Sequence, residues 1–211
     1  MKLFNLIGNN LMRLIHIINT DIKSIRILLS ITLFSFSSFV LGVDNTSTGT
    51  SALDSITTGT YNAAYGRQAL QWTTTGSSNT ALGYFSLENN TTGYSNSAFG
   101  RASLYKNTTG YNNVAGGHDS LYSNTSGYEN VAFGNSSLRA NTTGYANIAT
   151  GGGALKANTT GYKNTATGAY SLEENTTGYR NVATGAYSLE ENTTGYENTA
   201  TGAYSLEANT T

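Results

Sequence analysis

Gly178-Tyr179-Arg180-Asn181-Val182-Ala183-Thr184-Gly185-Ala186-Tyr187-Ser188-Leu189-Glu190-Glu191-Asn192-Thr193-Thr194 is one unit of a repeat. Ten seventeen-residue copies run from Gly42 to Thr211 without an insertion. A fixed period of this length marks a stacked array in which each unit is one structural layer, supported by its neighbours. Glycine opens every unit, at Gly42, Gly59, Gly76 and onward to Gly195. Position four is Asn in all ten units, position eight Gly and position twelve Leu. Position six is Ala in nine, with Ser47 in the first, and Tyr holds position two in the last seven, Tyr94 to Tyr196.

Positions four to eight alternate in kind. In Asn181-Val182-Ala183-Thr184-Gly185, Asn, Ala and Gly fall on one face and the β-branched residues on the other, the period of a short strand. The stretch at positions nine to fourteen, such as Ala186-Tyr187-Ser188-Leu189-Glu190-Glu191, reads as a second strand or as one helical turn carrying Leu inward, with the strand preferred. Asn-Thr-Thr-Gly then forms a corner, since Gly tolerates positive φ and Asn bonds local backbone.

Seventeen residues accommodate short strands and their turns, one rung of a parallel β-solenoid. Helical hairpin repeats need about thirty residues and helix formers, and this unit is short and rich in Gly and Thr. The expected fold is all-β: a parallel β-solenoid, or β-roll, of ten rungs spaced about 4.8 Å. In-register stacking sets identical residues above one another. Asn62, Ala64, Gly66 and Leu70 in the second unit should form one structural ladder with Asn130, Ala132, Gly134 and Leu138 in the sixth and Asn181, Ala183, Gly185 and Leu189 in the ninth. Amide ladders are expected in the Asn columns at positions four and fifteen, and ring stacking in the Tyr column. Each rung buries one Leu and one β-branched residue, worth about 1.5–3 kcal/mol each, which is modest against ordering seventeen backbones. Burial between rods is the natural supplement, and a parallel homotrimer is the expected assembly.

Composition agrees. Lys plus Arg number 11 and Asp plus Glu 12, so no net field draws the chain to nucleic acid. Cysteine is absent, which excludes disulfides and thiolate metal sites. Proline is absent too, as suits a backbone that must donate an N–H between layers. Residues 1–42 differ in kind: Lys2, Arg13, Lys23 and Arg26 precede an apolar and hydroxylated run over residues 27–41, ending near Val40 and Gly42. That is the pattern of a secretory signal peptide, with an N-terminal anchor as the alternative. The expected organisation is 1–42 for export and 43–211 for the solenoid, with a secreted or cell-surface location.

The unit Gly-Tyr-x-Asn-(Thr/Val)-Ala-x-Gly resembles the head repeats of YadA-type trimeric autotransporter adhesins. Its Asn-Thr-Thr-Gly corner and (Ser/Ala)-Leu pair resemble repeats of phage tail-fibre and bacterial fibre proteins. The resemblance spans residues 42–211. It implies a left-handed parallel β-roll assembled in trimers and a role in fibres or adhesion.

No rung carries an obvious catalytic set, and no catalytic, cofactor or metal residue is expected. His118-Asp119 reads as a solvated turn, because it lacks a third ligand or nucleophile. Glu173-Glu174, Glu190-Glu191 and Glu207 read as a solvated acidic edge. Gly151-Gly152-Gly153 lacks the Gly-Lys-(Ser/Thr) of a phosphate loop. Asn90-Thr91-Thr92 forms a glycosylation sequon that the corner geometry explains equally well. The expected function is that of an exported, non-enzymatic fibre protein, an adhesin-like head or shaft. Binding to glycans or cell surfaces would come through repeated columns, with Tyr162, Tyr179 and Tyr196 as the candidate surface column. The alternatives are a filament subunit, an ice-binding solenoid presenting Thr165-Ala166-Thr167 and Thr199-Ala200-Thr201, and a polysaccharide-processing β-helix.

Overall fold

A computed structural model describes residues 44–210; the N-terminal segment read as a signal or anchor lies outside them. Ten three-residue strands, from β1 (Thr46–Thr48) to β10 (Thr199–Thr201), form one parallel sheet in sequence order. Each strand pairs with the next at an offset of one repeat, as in Ala64↔Ala81 and Ala132↔Ala149. The described repeat region is therefore an all-β parallel solenoid, one rung per unit.

Strands occupy positions five to seven. Their central Ala points inward and is sealed from solvent, at 0% exposure from Ala64 to Ala183, while the flanking residues face out. The Ala column and the Leu column, fully buried from Leu70 through Leu138 to Leu189, form one continuous core. Gly66, Gly134 and Gly185 close the strand with φ of 135°, 135° and 130°. At Gly66 a Cβ would lie 2.6 Å from the carbonyl oxygen of Gly83, so sterics forbid a side chain there twice over.

The second strand expected at positions nine to fourteen is not formed, and neither is a helical turn. The chain instead bends through left-handed residues at positions ten and twelve, such as Gln68 (φ 59°) and Leu70 (φ 51°). Local turns close it, with Ala69 N–H donating to Gly66 O and Thr73 N–H to Leu70 O, each at 3.2 Å. Inter-rung bonding persists, for example Leu70 N–H to Ser86 O at 3.1 Å. The left-handed conformation costs a non-glycine residue roughly 1–2 kcal/mol, and complete burial of Leu returns a similar amount, about 1.5–3 kcal/mol.

Position three is also left-handed in every rung, from Asp44 (φ 73°) to Glu197 (φ 57°). A β-branched side chain is strained in this region. No Val, Ile or Thr occurs in the described residues at positions three, ten or twelve, although the chain is rich in Thr elsewhere. The Asn-Thr-Thr-Gly corner has its own device. The N–H groups of Thr74, Thr75 and Gly76 converge on the carbonyl of Thr91 one rung on, at 3.0, 3.3 and 3.2 Å, and the Thr74 hydroxyl joins them at 3.2 Å.

Candidate functional site

The interior is a scaffold of amides. At position four, Asn96 donates from its backbone N–H to Asn79 Oδ1 at 3.0 Å, and from Nδ2 to the same oxygen at 3.2 Å. Its Nδ2 also donates to Gly110 O at 2.8 Å. At position fifteen, Asn107 Nδ2 donates to Asn90 Oδ1 at 2.7 Å and to Gly110 O at 3.0 Å. Both ladders thus meet on the carbonyl of the glycine that opens the next rung. Every buried amide finds partners inside the fold, as low-dielectric burial demands. Asn62, Asn130 and Asn181 belong to the first ladder, with Asn62 1% exposed and the other two fully buried. Asn90 is fully buried, so its sequon is closed in the folded rung.

The Tyr column stacks as expected. Seven rings from Tyr94 to Tyr196 lie with centroids 4.9–5.1 Å apart and planes within 4–7° of parallel. Tyr162 and Tyr179 are half-buried by their neighbours and Tyr196 is exposed. The Tyr111 phenol is raised above its ordinary value, first by desolvation and then by the neighbouring Tyr128, Tyr94 and Glu129. A second series, Tyr170, Tyr187 and Tyr204 at position ten, stacks at 5.2 and 5.1 Å.

On the acidic edge, Glu174 and Glu191 point into solvent, whereas Glu173 and Glu190 are half-buried. Lys156 Nζ pairs with Glu173 Oε1 at 2.8 Å. The Glu190 carboxyl is raised by desolvation first and by Glu173, Glu207, Glu191 and Glu174 next. Among the described residues, no group of three or more His, Cys, Asp or Glu is placed to hold a metal ion.

His118 and Asp119 are not a bare solvated turn. Arg101 Nη1 lies 2.6 Å from His118 Nε2, and because a guanidinium only donates, that imidazole nitrogen accepts. Asp119 Oδ2 sits 3.6 Å from Arg139 Nε and 3.7 Å from His118 Nδ1. Arg139 and Lys106 both place their cationic ends over the Tyr122 ring, 5.4 Å from its centroid. Rungs four to six therefore do carry a polar cluster of their own, contrary to the rung-by-rung reading of the sequence. Its partners stand 17 and 20 residues apart, so only the columns reveal it. The signal was the small Ala102 at position ten, between Phe85 and Asp119, beside basic residues at positions nine, thirteen and fourteen.

Comparison with protein-family models, curated proteins and solved structures yields no match. Function must be read from these surfaces.

Proposed function

We propose that this chain is an exported, non-enzymatic fibre protein that works as an adhesin-like head or shaft and assembles as a parallel trimer. The observation that carries the reading is the outward face of the sheet. Positions five and seven supply twenty residues along ten strands, and none is charged. Tyr65, Leu82, Phe99, Phe133, Ile148 and Val182 stand exposed on it, 39–52% accessible. Uncharged throughout and studded with exposed apolar side chains among Thr and Ser, such a face suits an association surface. Parallel copies aligned rung to rung would cover it along its whole length, and the resulting shaft would present the Tyr columns many times over. Contact with glycans or cell surfaces would then be weak per rung and strong in sum. Attachment of the full chain to cells, measured as seventeen-residue units are deleted in register from rungs eight to ten, should fall in graded steps. Unchanged attachment would count against binding by columns.

The Thr pairs Thr165 (half-buried) and Thr167, and exposed Thr199 and Thr201, flanking buried Ala166 and Ala200, favour ice binding as a second reading. Val182 and Ile148 interrupt the Thr array in the neighbouring strands. Thermal hysteresis without cell attachment would select that reading over the first.

A further inference from the structure

We infer that the cleft around Ala102 is a discrete binding site for an acidic sugar, one hexose-sized ring bearing a carboxylate. It is formed where a small residue at position ten lies between two larger ones. Position ten holds Phe85 in rung three and Asp119 in rung five, but only Ala102 in rung four, and the missing side chain leaves a cavity of about 220 Å³. Pockets for drug-sized ligands span roughly 300–1,000 Å³, so this one admits a single ring and not an extended chain.

Its walls match that ligand group by group. Arg101 and Arg139 both line the cavity. Each spends one N–H contact on His118 or Asp119, and five donors per guanidinium leave a carboxylate partner available. Tyr105 and Tyr122, stacked at 5.0 Å, add aromatic edges and phenol hydroxyls, and Phe85 adds an apolar surface. Asp119 sets the specificity. Its carboxylate accepts hydrogen bonds from sugar hydroxyls, which a bare anion lacks and which offset its repulsion of the ligand's negative charge. The cluster counts Arg101, Lys106 and Arg139 against Asp119 alone, a local excess of positive charge on a chain whose net charge is −1. A polyanionic nucleic acid, by contrast, would meet Glu173, Glu174, Glu190 and Glu191 on the rungs beyond.

The site lies in columns nine, ten and thirteen, not on the strand face at positions five and seven, so it stands or falls apart from trimer assembly. Sodium glucuronate and N-acetylneuraminate are titrated into the full chain by NMR, with glucose, sodium acetate and a single-stranded oligonucleotide alongside. Both acidic sugars should bind, and glucose and acetate should bind at least tenfold more weakly (on the order of one lost charge-assisted hydrogen bond). Ala102→Phe fills the cleft while keeping every charge. The fold accepts it, because Phe85 (φ 62°) and Tyr170 (φ 58°) carry rings at the same left-handed position as Ala102 (φ 54°). That variant should lose the binding with its melting unchanged, and Arg101→Gln should weaken it by about 10- to 100-fold. Acidic-sugar binding that survives Ala102→Phe overturns the proposal. So does acetate or the oligonucleotide binding as tightly as glucuronate, or no binding by either acidic sugar.

Discussion

The side-chain amide of Asn124 donates to Oδ1 of Asn107 at 2.8 Å, with both residues fully buried. The same contact recurs one rung later, from Asn141 to Asn124 at 2.8 Å. Replacing Asn124 with Ala leaves Asn107 Oδ1 buried without this donor and breaks the ladder in its middle. The expected cost is about 1–3 kcal/mol, read as a fall in melting temperature. Ser123→Ala, at a half-buried neighbour outside the ladder, should stay within about 0.5 kcal/mol of the parent.

Much of this architecture was legible because identical rungs stacked in register make each column a direct record of its environment. Ala at position six, Leu at twelve and Asn at four each specify one setting, and the structure places Ala64, Leu70 and Asn62 accordingly. The second strand is absent although Leu189 among alternating neighbours imitates strand patterning, because backbone conformation decides the matter. The discriminating signal was negative: positions three, ten and twelve avoid β-branched residues. The Arg101–His118–Asp119–Arg139 cluster is hidden in the sequence for a different reason. Its members belong to different columns of adjacent rungs, and no single unit contains the set.

The fifteenth-position ladder has a defined end. Thr73 occupies that position in rung two, fully buried, with its hydroxyl lacking a hydrogen-bond partner. Thr73→Asn would extend the ladder, offering Oδ1 to Asn90 and Nδ2 to the Gly76 carbonyl. A gain of about 1 kcal/mol is expected in chemical denaturation. Destabilisation would show that the ladder does not propagate into this rung.

Ala149 is sealed at the centre of its strand, whereas Glu190 is a half-buried carboxylate among like charges. Ala149→Leu should overpack the rung and cost about 1–3 kcal/mol. Glu190→Lys should change stability by no more than roughly 0.5 kcal/mol. Equal shifts in thermal melts would contradict the assignment of inner and outer columns.

Lys163 is exposed at position three with φ 56°. Lys163→Val puts a β-branched residue in the left-handed region and should cost about 1–2 kcal/mol, although the site touches solvent. Lys163→Asn should be neutral or mildly stabilising, because Asn tolerates this conformation. Equal melts for the two variants would remove the backbone explanation of the column.

Assembly through the uncharged strand face is the central claim, and sedimentation equilibrium of the full chain at micromolar concentration tests it most directly. The account predicts three times the chain mass. It also predicts that Phe133→Lys, which sets a cation on the 45% exposed strand-face residue, yields a folded chain of lower mass. A stable, β-rich monomer for the unmodified chain, or a trimer indifferent to Phe133→Lys, would contradict it.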